Sequence, residues 1–360
     1  MDEPDQLEVV ALGARIVVRI EGDGAAGVID DLRERWRRCL HDDPDATART
    51  LTYRLGPDGS LHADALRHRI TVDVTAAALD ECRGDLLTLH AAGLEDSDVA
   101  YCFVGPSGAG KSTLASRLGR ELGYAGDEAV GVDDDGRLIA FPKPLSLRSS
   151  GAHDKQQVGP DALGLRPASG GLPIAGVFVL DRQTDAAEEP ATAPLGLVDA
   201  VVALARQSSY LPQLDRPLQR VATLIHRHGA HRLTYGESAD VLSVVREAVA
   251  QPTRDERWEW SVPIDTALSP AAPGEPAVRR VDVRDAIEDA DGTVVLLDGT
   301  DLQVLSPLGS LIWRLTADWT RIDDIEQEIA RMTGADPSAS EMVRERLAEL
   351  VASDLLEMRD

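Results

Sequence analysis

Nine consecutive residues constrain this chain more than any others: Gly105-Pro106-Ser107-Gly108-Ala109-Gly110-Lys111-Ser112-Thr113. They satisfy G-x-x-x-x-G-K-[ST] at every fixed position. The setting fits as well. Residues 99–104 form a short apolar run that reads as a buried strand. Residues 111–122 read as a helix carrying Leu114, Leu118 and Leu122 on one stripe, with Gly123 as its C-cap. Glycines let successive backbone N–H groups curl round a phosphate, and the helix N-terminus adds partial positive charge. Gly105, Ser107, Gly108, Ala109, Gly110, Lys111, Ser112 and Thr113 are therefore the expected phosphate contacts. Lys111 supplies a point charge to the outer phosphates, and the Ser112 hydroxyl a ligand to Mg²⁺. The motif specifies a bound nucleotide such as ATP with Mg²⁺. It does not choose among ATP, GTP and pyrophosphate, nor name the reaction.

Three neighbourhoods narrow the chemistry. His90 ends an apolar run, 86–92, that reads as a strand 15 positions before Gly105. Gly126-Asp127-Glu128 follows the loop helix, and carboxylates there can meet Mg²⁺ or take a proton from an attacking hydroxyl. Phe141-Pro142-Lys143-Pro144-Leu145-Ser146-Leu147-Arg148 places two cations, Lys143 and Arg148, in a proline-stiffened segment. Such cations can offset charge on a phosphoryl group in transfer. Lysine is scarce: only Lys111, Lys143 and Lys155, among 37 basic residues. A lysine that remains is one the chemistry can require.

The length of 360 residues points to two or three domains. Residues 1–84 read as a small α/β unit, with strands at 9–20, 51–55 and 70–74, a helix at 25–40 and a turn at 57–59. Residues 85–250 alternate strand and helix signals, the pattern of an α/β domain. Strands fall at 174–180 and 232–235, helices at 197–206, 218–228 and 239–248, and residues 149–173 form a Gly/Pro-rich loop. Residues 251–280 have the composition of a proline-rich linker, in which Trp258 and Trp260 are expected to pack on a domain face. Residues 281–360 give three short strands (281–287, 293–297, 302–305), joined by Asp291-Gly292 and Asp298-Gly299 turns. Helices follow at 307–315, 322–332 and 338–352, the last with Ser338 or Ser340 as N-cap.

Sixty-two acidic residues against 37 basic ones leave a net charge of −25. That field repels nucleic acid. Residues 281–360 hold 19 acidic residues and seven arginines, so a groove-reading role for that unit is excluded in the same way. No apolar run is long enough to span a bilayer, and the N-terminus lacks the features of a signal peptide. Cys39, Cys82 and Cys102 have no metal-binding spacing. The expectation is a soluble cytoplasmic protein without a membrane or nucleic-acid partner; a homo-oligomer is left open.

Leu89-His90-Ala91-Ala92-Gly93, the phosphate loop with its short helix, Gly126-Asp127-Glu128 and Phe141-Pro142-Lys143-Pro144 together resemble the HPr kinase/phosphorylase superfamily. These are P-loop kinases related to phosphoenolpyruvate carboxykinase. The resemblance spans about residues 86–150 and continues more weakly to Ala248. It implies an α/β P-loop kinase domain in which Asp127 acts as base on a seryl hydroxyl, assisted by His90. The chain lacks the long segment by which that family recognises the carrier HPr and removes its phosphate. It looks like the smaller HPr-kinase-like branch, some of whose members phosphorylate peptides in natural-product pathways.

Residues 281–358, with Leu311-Ile312-Trp313-Arg314-Leu315 in their first helix, resemble PqqD-like peptide-recognition domains. That resemblance implies a winged-helix-like α+β unit. It would bind the leader of a ribosomally made precursor peptide by strand addition near Leu302 and Ser306, beside the helix carrying Val343, Leu347 and Leu350. The implied activity is peptide Ser/Thr phosphorylation from ATP and Mg²⁺. The alternatives are a small-metabolite kinase, or a nucleotide sensor that delivers peptide without catalysis.

Overall fold

The computed structural model describes residues 6–40, 49–55, 63–148, 155–183, 189–236, 240–250, 256–334 and 339–359. The chain divides into two units. One comprises 1–195, 203–215 and 227–253; the other comprises 196–202, 216–226 and 254–360.

The first unit is built on a seven-stranded mixed sheet. Its order is Arg166–Pro167, Gly123–Gly126, Ala91–Asp96, Val99–Val104, Ile174–Arg182, Ala230–Tyr235, Ala191–Pro194. Val99–Val104, Ile174–Arg182 and Ala230–Tyr235 run parallel at its centre. Such strands are covered on both faces and so read as continuous apolar runs. Phe103 stacks on Phe178 at 5.5 Å between ring centroids, and Tyr101 meets both edge-on. A four-stranded sheet of Ser208–Ser209, Leu87–Leu89, Val130–Val132 and Leu138–Ile139 lies in the same unit.

Residues 1–84 do not form a domain of their own. Their three-stranded sheet (Gln6–Ala11, Ala14–Glu21, Arg49–Arg54) and helix Ala25–Arg35 share one core with Ala129 and Phe141. The Trp36 and Phe141 rings lie 6.2 Å apart. The expected strand at 70–74 is instead part of a helix, Ala63–Glu81. Leu66, Ile70, Val74 and Ala78 are buried at a spacing of four, a helical stripe. The β-branched residues between them mimic a strand, but Thr71 and Thr75 turn their hydroxyls back onto the carbonyls four residues earlier. Within the loop expected at 149–173, Lys155–Val158 is a strand that pairs with Leu145–Arg148. The turn at 57–59 lies outside the described residues.

The second unit carries the sheet Trp260–Ser261, Asp285–Asp289, Val294–Asp298, Asp301–Val304. A three-stranded sheet joins Thr320–Arg321, Ala277–Arg280 and Leu356–Arg359. Helices Pro307–Leu315, Ile322–Thr333 and Ala339–Ala352 bury Ile312, Trp313, Ile325, Ile329, Val343, Leu347 and Leu350. Ser306 caps the first helix by accepting from Gly309 N at 3.2 Å. Ser340 lies within the last helix, and Ser338 lies outside the described residues. Val343, Leu347 and Leu350, expected to flank a bound peptide, are spent on this core.

Residues 256–280 are a strap on this unit rather than a free linker. Thr266 N donates to Arg314 O, and Ala271 N to Trp319 O. Arg359 holds Ala271 O and Ala272 O, and Trp258 is buried. Residues 216–226 join this unit for an electrostatic reason. The Asp285 carboxylate accepts from Leu218 N at 2.8 Å and Gln219 N at 3.1 Å, capping their helix N-terminus. Among the described residues no helix is long and apolar enough to cross a membrane.

Candidate functional site

Strand direction gathers the polar residues at one edge of the seven-stranded sheet. Val104 ends its parallel strand and leads into Gly105. Ala91–Asp96 runs antiparallel to it with Ala91 opposite Val104, so His90 stands beside the start of the loop. Gly123–Gly126 runs antiparallel to Ala91–Asp96 in turn, with Gly126 opposite Gly93. Asp127 therefore leaves the sheet at the same edge. Two reversals bring residues 90, 105 and 127 together.

His90 and Asp127 share a second property: each sits where the chain passes from one sheet to the other. The expected strand at 86–92 is broken at His90 into Leu87–Leu89 and Ala91–Asp96. Asp127, Glu128 and Ala129 join Gly123–Gly126 to Val130–Val132. The second crossing is tight. A Cβ on Gly126 would meet the Phe141 carbonyl at 3.0 Å, and Glu128 is held at φ 81°, a strained value for a side-chain-bearing residue.

The Ala109 N–H closes a turn on Pro106 O, and Gly110 takes φ 95° as the N-cap of helix Lys111–Leu118. That helix is shorter than expected. It caps at Gly119, and Gly123 opens a strand instead. The first-turn N–H groups of Lys111, Ser112 and Thr113 have no acceptor within the helix and are available to an anion. Lys111 is buried, and its Nζ donates to Gly105 O at 2.6 Å and Pro106 O at 3.0 Å. Burial lowers its pKa, against the opposing pull of Asp127 and Glu128.

A cavity of about 620 Å³ opens over this edge. Its lining includes Ser107, Gly108, Gly110, Lys111, Ser112 and Thr113 from the loop, with His90, Asp127, Glu128, Ser146, Leu147 and Arg182. Asp127 is 2% exposed, and among the described residues its Oδ1 has no hydrogen-bond partner. Leaving a buried carboxylate oxygen unpaired is costly. Burial, and then the Lys111 cation, push the His90 imidazole below its ordinary pKa, outweighing a hydrogen bond donated to the Gln207 side chain and the pull of the two carboxylates. His90 is thus neutral at pH 7.

Lys143 stands apart from the expected set. It does not line the cavity; it is fully buried, with Nζ 2.8 Å from Glu128 Oε2. It braces the crossing that carries Asp127 rather than facing a phosphate. Arg148 ends the strand Leu145–Arg148, and its side chain lies outside the described residues. Ser112, Asp127 and Glu128 provide oxygens of the kind Mg²⁺ takes. Among the described residues, no three of His, Cys, Asp and Glu gather as a metal cluster.

Two residues escape a motif search. Arg182 and Tyr235 are register partners at the C-terminal ends of the two central strands beyond Val104. Tyr235 Oη donates to Ala109 O at 3.2 Å. A Cβ on Gly110 would meet Tyr235 Oη at 2.8 Å and Arg182 Cδ at 3.2 Å, so both side chains brace the loop. The signal that could have found them is position: in α/β sheets, ligands bind at the carboxyl ends of parallel strands.

No family model matches the chain, and no curated protein does. Among solved structures, the Hpr(Ser) kinase/phosphatase from Coxiella burnetii is similar at 14% sequence identity and a TM-score of 0.25, over 45% of this chain and 89% of that one.

Proposed function

We propose that the chain is an ATP- and Mg²⁺-dependent kinase acting on a Ser or Thr hydroxyl of a ribosomally made precursor peptide, whose leader the C-terminal unit holds. One observation carries the reading: Lys111 and Ser112 line one cavity with His90 and Asp127. A donor cradle and a candidate base face one space, as phosphoryl transfer requires.

In this reading the acceptor hydroxyl gives its proton to the Asp127 carboxylate as its oxygen bonds to the terminal phosphorus. The bond from that phosphorus to the bridging oxygen breaks, and the nucleoside diphosphate leaves with the electron pair. Lys111 exchanges its two carbonyl partners for phosphate oxygens. Neutral His90 orients the acceptor without adding a second cation beside Lys111. The Ser112 hydroxyl and the Asp127 and Glu128 carboxylates would hold Mg²⁺, whose charge offsets that of the phosphates when it is bound.

Asp301–Val304 is an edge strand of its sheet, and Val304 is 46% exposed. An extended leader can add there through main-chain hydrogen bonds. Tethering would raise the local peptide concentration to the millimolar range or so, and a shallow cavity would then suffice.

The test is phosphoryl transfer from γ-labelled ATP to precursor peptides and, in parallel, to hydroxylated metabolites. Label on a peptide Ser or Thr supports the reading; label on metabolites alone replaces the acceptor. Leu302→Glu and Val304→Glu should weaken peptide affinity and leave ATP affinity unchanged. Unaltered peptide affinity in both variants removes the leader site.

A further inference from the structure

A second cavity, of about 460 Å³, meets the phosphate cavity at Gly110, Thr113 and Arg182, the three residues that line both. Its own walls are of different chemistry. Leu114 and Leu118 come from the loop helix, Val241 and Leu242 from helix Val241–Ala250, and the Tyr235 ring closes one side. Arg117 and Glu121 follow Thr113 at helical spacing, four residues apart each time, and supply polar groups. The volume and the mix of apolar walls with a few polar groups are those of a small-molecule site.

The linings give the two sides of the loop different roles. Asp127 and His90 line the first cavity and not the second. An acceptor hydroxyl must reach them, so it enters by the first. A triphosphate chain lying on Lys111 and Ser112 then has the second cavity open at its other end.

Resting on the kinase reading above, we infer that this second cavity holds the nucleoside, its base against Tyr235, Leu118 and Leu242 and its inner phosphate passing Arg182. Flat aromatic bases bury well against an aromatic ring and leucine side chains, and an arginine at the junction suits the charge that enters there. Tyr235 then has two duties: its hydroxyl holds the Ala109 carbonyl, and its ring meets the base. The motif does not choose between a nucleotide and pyrophosphate; this cavity makes the chain select nucleotides over bare polyphosphates.

The test compares ATP, GTP and inorganic tripolyphosphate by calorimetry, each with Mg²⁺, on the full chain. ATP or GTP should bind at least about tenfold tighter than tripolyphosphate, the scale of one base stacked on an aromatic side chain. Leu118→Trp fills the cavity from a half-buried position; it should bring the nucleotide down to tripolyphosphate affinity and leave tripolyphosphate unchanged. Equal affinity of wild type for all three ligands overturns the inference while leaving the phosphate site intact. Binding of none of them overturns the kinase reading instead. Photolabelling of the wild type with 8-azido-ATP needs no variant. Label within residues 111–121 or 235–250 supports the site, and label confined elsewhere overturns it.

Discussion

The loop at 105–113 and the segment at 141–148 each bury a lysine near Glu128, and they use it in opposite ways. Lys111 rests on two neutral carbonyl oxygens at the lip of a cavity. Lys143 is sealed from solvent and paired with the full charge of Glu128. A cation leaning on carbonyl dipoles can move to a phosphate at little electrostatic cost. A buried cation leaning on a carboxylate cannot leave it, because the charge would be stranded without water or partner. Burial of a lysine is therefore no sign of function by itself. The charge of what it leans on is the sign.

The largest expected effect breaks the loop side. Lys111→Ala should lower phosphoryl transfer by at least about 10³-fold and abolish tripolyphosphate binding, with the thermal midpoint nearly unchanged. A large loss of stability with nucleotide binding kept would show Lys111 to be a structural cation, and the contrast would vanish. Next comes the proposed base, Asp127, whose charge acts on Lys111. Asp127→Asn should cut transfer by about 10²–10⁴-fold while nucleotide affinity, read by calorimetry, stays within a few-fold. Normal turnover in this variant would remove the base.

On the Lys143 side the pair is asymmetric, and the asymmetry is testable. Glu128 is about half exposed, whereas Lys143 has no exposure. Glu128→Gln leaves a buried cation unpaired and should cost about 3 kcal/mol of unfolding free energy in denaturant melts. Lys143→Met fills the same volume with a neutral chain and lets Glu128 hydrate, so its cost should be nearer ~1 kcal/mol. Lys143→Met should slow transfer modestly by loosening the crossing that carries Asp127, and Glu128→Gln should slow it more, because it also removes a proposed Mg²⁺ ligand. The reverse order of stabilities would mean that Glu128, not Lys143, is the group the crossing has to restrain.

The loop, its helix and the central strands were legible because their signals are local: a fixed spacing of glycines, a lysine, and apolar runs bounded by turns. His90 was legible as a polar residue in an apolar strand run, and Asp127 as a carboxylate following the loop helix. That they share an edge depends on strand direction, which pairs Ala91 with Val104 and Gly93 with Gly126. The ion pair of Lys143 with Glu128 was not legible, because composition records a cation in a stiff segment and not the carboxylate it meets. Arg182 and Tyr235 carry no motif; only their register at the ends of parallel strands makes them neighbours. The helix at 63–81 was misread over 70–74 because a run of β-branched residues outweighs a four-residue stripe in a short window. The proline-rich strap looked like a linker because hydrogen bonds from Arg359, 87 and 88 residues distant, leave no local trace.

The smallest effect sharpens the contrast most, because it reads the two lysines through one reporter. His90 is held below its ordinary pKa first by burial and then by Lys111; Lys143 is not among the causes. Lys111→Met should therefore raise the His90 pKa, seen by NMR titration of its ring protons, and Lys143→Met should leave it in place. The functional consequence has a definite sign. A histidine whose folded pKa is depressed is neutral at pH 7 and gains its proton only at more acid pH. Protonation sets a second cation beside Lys111 and disfavours the bound acceptor geometry. Transfer should thus fall as pH drops through that depressed pKa, and in His90→Gln the acid limb should lose this component. The same proton is taken up more readily by the unfolded chain, so the His90 contribution to stability is present above pH 6.5 and is lost as pH falls below it. A His90 pKa that moved with Lys143 and not with Lys111 would place the buried cation, and not the loop lysine, next to the reacting groups.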